Sequence, residues 1–177
     1  MTFRQFTAQL CLLITTACNA HIASAEELKI GSAAPVFQLK NQDTRDFKLS
    51  ERKGKWTVLY FYPKAETPGC TTQACAFRDN IEKIRVLQAE VFGISVNTAD
   101  EQKKFRTNHH LNFDLLADVE GKIAELYGTK INGVKMSKRW TFIVDPELKI
   151  RNINKEVDPI KDADQVAKTL KELQKKK

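Results

Sequence analysis

The sequence predicts one α/β domain of three layers, in which helices cover both faces of a mixed central sheet. Apolar runs of the strand type alternate with segments whose apolar residues recur at intervals of three and four. The last two strand-type runs are joined only by an Asp145-Pro146 turn, which predicts an antiparallel pair. A chain of 177 residues, 42% hydrophobic and 29% charged, has the length and composition of one soluble globular domain.

The start of the chain differs from this domain in composition. Arg4 precedes an apolar run, LCLLITTA, and Ala23-Ser24-Ala25 matches an A-x-A cleavage site. We therefore expect residues 1–25 to be a secretory signal peptide and residues 26–177 to form the domain, in the periplasm of a bacterium or secreted from it. Two alternatives stay open, namely a short buried N-terminal helix and a lipoprotein signal in which Cys18 carries the lipid.

The first half of the domain shows a hairpin, a central strand and a long helix. Residues 31–50 contain two short apolar alternations around the polar segment NQDTRD, which predicts a β-hairpin. The continuous apolar run at residues 56–62 predicts a strand that is buried on both faces. From Thr71 to about Ala89 an apolar stripe predicts a helix, and its members are Ala74, Phe77, Ile81, Ile84 and Leu87.

The second half repeats the alternation of strand and helix. Residues 91–97 predict a buried strand, and Thr98 or Asp100 is the candidate N-cap of the charged helix that follows. FDLLAD and RWTFIVD predict strands on either side of a short helix, VEGKIAELYG, which Gly128 closes. LKIRNINKE predicts the last strand, and Asp158-Pro159 opens a terminal helix.

Two cysteines, Cys70 and Cys75, stand at the start of the first long helix. Unpaired N–H groups and the positive end of the helix dipole favour an anion there, and a thiolate is such an anion. Pro68 and Gly69 bring the backbone close to the sulfur, and Thr67 offers a hydroxyl group that can hold a small polar substrate. We interpret this segment as a reactive-thiol site.

The spacing of the cysteines predicts a structural change on oxidation. In a regular helix, Cα atoms five residues apart are separated by roughly 8.6 Å. A disulfide generally needs less than about 7 Å. A bond between Cys70 and Cys75 therefore requires the first turns of the helix to unwind, so we expect a reduced folded form and an oxidised, locally unwound form. A permanent disulfide or two ordinary buried cysteines are the structural alternatives.

The segment that contains these cysteines resembles the peroxiredoxins. PKAETPGC matches their motif P-x-x-x-T-x-x-C, and TPGCTTQAC is similar to the PrxQ subgroup, also called bacterioferritin comigratory protein. The similarity extends over nearly all of residues 26–177, including LLADVEGKIAELYG and RWTFIVD. It implies a thioredoxin-like fold and the reduction of hydrogen peroxide and organic hydroperoxides, with no metal or organic cofactor.

The resemblance implies a role for five residues. Cys70 is the peroxidatic cysteine, which becomes a sulfenic acid, and Cys75 is the resolving cysteine, which condenses with it to a disulfide. Thr67 hydrogen-bonds the peroxide and the sulfur, and Pro63 shields the pocket. Arg139 orients the substrate and favours the thiolate.

One residue of the motif departs from the family pattern, since Gln73 stands where many peroxiredoxins have Glu. The resemblance also implies a thioredoxin-like dithiol as reductant and a monomer, because a disulfide within one chain needs no partner subunit. The formal net charge is +7, but zinc-finger spacing and a recognition helix are lacking in the sequence. We therefore expect no nucleic-acid partner and, after signal cleavage, no stable membrane association.

Two other functions are compatible with paired thiols. A thioredoxin-like thiol-disulfide oxidoreductase would use C-x-x-C, whereas this chain has C-x-x-x-x-C. A copper-binding protein resembling the Sco family would hold the metal with Cys70, Cys75 and either His109 or His110. The cysteines of the Sco family, however, follow a C-x-x-x-C spacing, which differs from that of this chain.

Overall fold

The computed structural model describes residues 27–175, so the predicted signal peptide and the question of Cys18 lie outside the described residues. The strands are β1 (Gln38–Asn41), β2 (Asp46–Lys48), β3 (Trp56–Phe61), β4 (Ala89–Ser95), β5 (Asp114–Ala117), β6 (Trp140–Val144) and β7 (Ile150–Asn154). The α-helices are α1 (Pro68–Arg85), α2 (Ala99–Asn108), α3 (Lys122–Leu126) and α4 (Asp162–Lys175), and a 3-10 turn covers Leu49–Arg52.

The strands form a mixed sheet in the order β2-β1-β5-β4-β3-β6-β7. Strands β3, β4 and β5 are parallel, whereas β6 and β7 on one side and β1 and β2 on the other pair antiparallel. The mixed sheet, the N-terminal hairpin and the antiparallel pair after the Asp145-Pro146 turn are thereby confirmed.

Helices and loops cover both faces of this sheet. Along β3 the side chains alternate, with Val58 and Tyr60 packed toward α1 and α4 and Leu59 and Phe61 packed on the opposite face. Every residue of β3 is buried, and all but Thr57 are apolar, because both faces of the strand are covered, as the sequence predicted. Within residues 27–175, no helix is long and apolar enough to cross a bilayer.

The first long helix lies three to four residues earlier than predicted at both ends. It begins at Pro68, whose fixed φ and missing N–H suit the first helical position. It ends at Arg85, and Gln88, with a φ of 54°, then turns the chain into β4. The spacing of apolar residues did not reveal this end of the helix, because Leu87 continues that spacing beyond Arg85.

The other helix ends follow their capping chemistry. Thr98, not Asp100, caps α2, and its side chain and that of Glu101 form a reciprocal capping box. The last helix begins at Asp162 instead of the predicted Asp158-Pro159. Asp158 instead holds a separate turn, since its Oδ1 accepts a hydrogen bond from the Ile160 N–H at 3.0 Å.

Candidate active site

Cys70 lies in the first turn of α1, directly beyond the carboxyl end of β3, and is 1% exposed. Thr67 is the N-cap residue and has an extended backbone, but its side chain makes no capping hydrogen bond. The unpaired N–H groups of a first helical turn are therefore not taken by the cap. Together with the helix dipole they favour negative charge on or near the Cys70 sulfur.

The loop between β3 and α1 is anchored by hydrogen bonds from two neighbouring segments. The Ala65 N–H donates to the Asn97 side chain at 2.9 Å, and the Ser137 hydroxyl donates to the Tyr62 carbonyl at 2.8 Å. Asn97 follows β4, the strand next to β3, so the sheet itself supplies one support. These contacts hold the start of α1 in register with the sheet.

Glu66 provides a third anchor for this loop. Its φ of 64° is unusual for a residue with a side chain, and its carboxylate contacts both His109 Nε2 at 2.8 Å and Asn108 Nδ2 at 2.9 Å. The hydrogen bond to His109 is the main reason that the pKa of Glu66 is lowered. The end of α2 thus holds the residue that lies two positions before the start of α1.

Arg139 reaches Cys70 because of the antiparallel pairing of β6 with β3. In this register Trp140 faces Phe61, so the residue just before β6 arrives where β3 ends. The Nη2 atom of Arg139 lies 3.5 Å from the Cys70 Sγ atom. A permanent cation at this distance stabilises a thiolate and any negative charge that develops on a substrate oxygen.

Gln73, one helical turn after Cys70, holds the other side of the guanidinium. Its Oε1 accepts a hydrogen bond from Arg139 Nη1 at 2.8 Å. Its Nε2 donates to Asp162 Oδ2 at 2.7 Å, and Thr141 Oγ1 donates to the same carboxylate oxygen at 2.7 Å. Gln73 therefore contacts the arginine directly despite its departure from the Glu pattern.

Thr67 and Pro63 lie in the loop and its junction with α1, as the motif predicted. The Thr67 hydroxyl donates to the Lys64 carbonyl at 2.9 Å, so in this structure its hydrogen is not directed at the Cys70 sulfur. The hydrogen bond that we expected from Thr67 to the sulfur is therefore not formed in this conformation. Its oxygen keeps acceptor capacity for a peroxide O–H. Pro63 is half-buried just after β3.

Cys75 lies further along the same unbroken helix and is half-buried. Both cysteines of the described part are free thiols. The structure therefore corresponds to the reduced folded form that the spacing predicted, and the alternative of a permanent disulfide is not the state seen. The oxidised form stays a prediction.

Sequence reasoning missed the residues that support the site from a distance. Asp162, Thr141, Asn97 and Glu66 carry no motif, and Asp162 stands in a polar segment that looks like an exposed helix start. The one available signal was Gln73. Because this amide is uncharged, it cannot supply a negative charge to Arg139, which points to another acidic residue nearby.

The copper hypothesis finds no support in the geometry. The Nε2 atom of His109 is engaged by the Glu66 carboxylate at 2.8 Å. Among residues 27–175, three or more His, Cys, Asp or Glu side chains do not come together in a group that could hold a metal ion.

Residues 30–153 match the family model described as AhpC/TSA. The chain is 40% identical over 155 residues to peroxiredoxin Bcp of Bacillus subtilis, covering 82% of this chain and 95% of that protein. It is 43% identical over 152 residues to the chloroplastic peroxiredoxin Q of Oryza sativa subsp. japonica, covering 81% and 66%. The structure of peroxidoxin BcpB from Mycobacterium tuberculosis has a TM-score of 0.77 at 32% identity, covering 83% of this chain and 99% of that one. The expected thioredoxin-like fold is confirmed.

Proposed function

Because the chain belongs to the AhpC/TSA family and is a peroxiredoxin, a thiol peroxidase, we propose that it reduces hydrogen peroxide and organic hydroperoxides through a sulfenic acid at Cys70 and a disulfide with Cys75. The observation that carries the proposal is the Arg139 guanidinium, 3.5 Å from the Cys70 sulfur at the start of α1. A cation and a helix N-terminus there favour the thiolate, which is the nucleophile.

In the first step the Cys70 thiolate attacks one peroxide oxygen and the O–O bond breaks. The sulfur loses two electrons and becomes a sulfenic acid, while the other oxygen takes a proton and leaves as water or an alcohol. The Arg139 guanidinium and the first-turn N–H groups stabilise the negative charge on the leaving oxygen. Thr67 accepts a hydrogen bond from the peroxide, and Pro63 shields the thiolate and the sulfenic acid from bulk water.

In the second step the Cys75 thiol attacks the sulfenic sulfur, a disulfide forms and water leaves. The cysteines are five residues apart in a continuous helix, so the start of α1 must unwind before the sulfurs meet. An external dithiol of the thioredoxin type then reduces the disulfide by exchange and is itself oxidised. No subunit beyond this chain takes part, which favours a monomer.

The test is a thiol count and an intact mass before and after one equivalent of hydrogen peroxide, on the mature protein of residues 26–177 with the unaltered sequence, with Cys75→Ser and with Cys70→Ser. We expect the unaltered protein to lose two thiols and two hydrogens. Cys75→Ser should retain a sulfenic acid at Cys70 that a dimedone-type reagent traps. Cys70→Ser should keep its remaining thiol.

Two results would contradict the proposal. If peroxide leaves both thiols free, the chemical step is wrong, and insulin reduction then tests the thiol-disulfide oxidoreductase alternative. If instead the oxidised protein is a disulfide-linked dimer, the peroxidase step stands but resolution within one chain is wrong.

We also propose that the protein acts outside the cytoplasm. The support is the composition of residues 1–25, with the A-x-A site that ends at Ala25. Mass spectrometry of the protein expressed with its full sequence in a bacterium should find a chain that starts at Glu26. A lipid-modified chain that starts at Cys18, or an uncleaved chain in the cytoplasm, would contradict this.

A further inference from the structure

A buried carboxylate stands behind the active-site arginine. Asp162, the first residue of α4, is 0% exposed, and its Oδ2 accepts hydrogen bonds from both Gln73 and Thr141 at 2.7 Å. Gln73, also 0% exposed, accepts a hydrogen bond from Arg139 with its other amide atom, Oε1. A chain of hydrogen bonds thus runs from α4 through α1 to the guanidinium beside Cys70.

The carboxylate determines which way the Gln73 amide points. A carboxylate only accepts hydrogen bonds, so the amide must present its NH₂ group to Asp162 and its oxygen to Arg139. Without an acceptor at Asp162, a flipped amide would place N–H donors against the guanidinium N–H donors. The orientation that holds Arg139 in place is therefore imposed from α4.

We propose that Asp162 is a positioning residue for the peroxidase reaction, which locks the Gln73 amide and thereby fixes the Arg139 guanidinium beside the Cys70 sulfur. The uncharged Gln73 amide separates the negative charge of Asp162 from Arg139. In a protein with Glu at position 73 that charge would touch the arginine directly. The inference rests on the proposed function of Cys70 and Arg139.

The energetics fit a role other than simple packing. The Asp162 carboxylate accepts hydrogen bonds from two uncharged side chains, Gln73 and Thr141, and an ionised carboxylate in the interior is costly. Burial raises the pKa of Asp162, whereas the hydrogen bonds from Thr141 and Gln73 and the charge of Arg139 act in the opposite direction. The network keeps this carboxylate available as an acceptor.

The test compares Asp162→Asn with the double variant Gln73→Glu/Asp162→Asn, both in a Cys75→Ser background so that Cys70 is the only thiol of the domain. Asparagine removes the charge, and because its amide can turn either its oxygen or its NH₂ group toward Gln73, it no longer imposes one orientation on the Gln73 amide. We expect Asp162→Asn to slow both alkylation of Cys70 by iodoacetamide and its reaction with hydrogen peroxide by about tenfold, and to weaken the ultraviolet absorbance of the thiolate.

The double variant moves the charge from residue 162 to residue 73, where it contacts Arg139 directly. We expect it to recover both rates to within about threefold of the unaltered site. A loss that reflected only disturbed packing at Asp162 would not be recovered by a second change nearby. If Asp162→Asn does not fold, the double variant decides, because it keeps one carboxylate in the network.

Asp145→Asn is the matched control. Asp145 is another buried carboxylate, 2% exposed, but it follows the far end of β6 and pairs with Arg151 at 3.1 Å. We expect its loss to lower stability and to leave both rates unchanged.

Unchanged rates in folded Asp162→Asn, or a folded double variant as slow as Asp162→Asn, would overturn the inference. Alkylation needs no peroxide, so it separates this failure from a failure of the proposed peroxidase. If Cys70 of the unaltered site resists peroxide while its alkylation still depends on Asp162, the reaction is wrong and the positioning role stands.

Discussion

At the scale of single residues, the site depends on how closely the helix start approaches the guanidinium. Arg139 has three neighbours there, namely the Cys70 sulfur, the Gln73 amide and the backbone of Gly69. A Cβ atom on Gly69 would lie 3.2 Å from Arg139 Nη2, which is tighter than an ordinary contact. The φ of Gly69 is not in the left-handed region, so its backbone does not require glycine. Glycine is needed here because a side chain would prevent the close approach of Arg139.

Gly69→Ala should therefore lower the rate with peroxide without weakening the fold. The guanidinium must shift by a few tenths of an ångström, and we expect a loss of about three- to tenfold. Alanine favours a helix more than glycine, so the melting temperature should stay level or rise. Stopped-flow kinetics and thermal unfolding check both parts. Thr72→Ala, on the exposed side of the same turn, is the control and should keep the original rate.

At the scale of elements, α1 has two parts with different attachments. From Ala74 onward its inner face carries Phe77, Ile81 and Ile84, which pack in the core. Before that point it is held mainly by the site itself, and residues 68, 69, 71 and 72 are half-buried or exposed. The first turns can unwind by moving Cys70 while Phe77, Ile81 and Ile84 stay packed in the core.

Oxidation should therefore raise amide hydrogen exchange in one part of α1 only. We expect faster exchange over residues 68–75 in the disulfide form, because that bond cannot close in a regular helix. Residues 77–85 should keep their protection, since the core side chains stay in place. Mass-spectrometric exchange on the reduced and oxidised forms measures this, with Cys75→Ser as the control that cannot close the bond. Equal protection in both forms would rule out local unwinding.

At the scale of the whole molecule, the packing of β3 against β4 positions the site. Tyr60 on β3 faces Gly93 on β4, and its wholly buried ring stacks on Phe77 of α1 with 4.7 Å between ring centroids. A Cβ on Gly93 would lie 2.6 Å from Tyr60 Cζ and 2.8 Å from Leu115 Cδ2. The absence of a side chain on β4 makes room for the ring that links the sheet to α1.

Gly93→Ala should destabilise the protein by about 1–3 kcal/mol, because neither the ring nor Leu115 has free space to move into. Urea unfolding of the reduced protein gives the free energy of unfolding directly. Gly69→Ala serves as the comparison, since the same chemical change there should cost no stability. A stability equal to that of the unaltered protein would mean that the core adjusts more easily than close packing allows.

Most of the fold could be predicted because its signals are local. The continuous apolar run of β3 requires burial on both faces, and the Thr98 cap and Gly128 are visible in the sequence. Helix ends were less predictable. Leu87 continued the apolar spacing beyond the end of α1, and only the backbone of Gln88 shows where the chain turns.

Local patterns were enough to predict the mixed α/β fold and a cysteine at a helix start, since Pro68, Gly69 and Cys70 lie within one turn of chain. The groups that surround this thiol depend on the three-dimensional packing of the elements. Arg139 reaches it through the antiparallel register of β6 with β3, and Asp162 reaches Gln73 across 89 positions of sequence. Such contacts depend on which elements become neighbours in space, and a local pattern of residues does not contain this information.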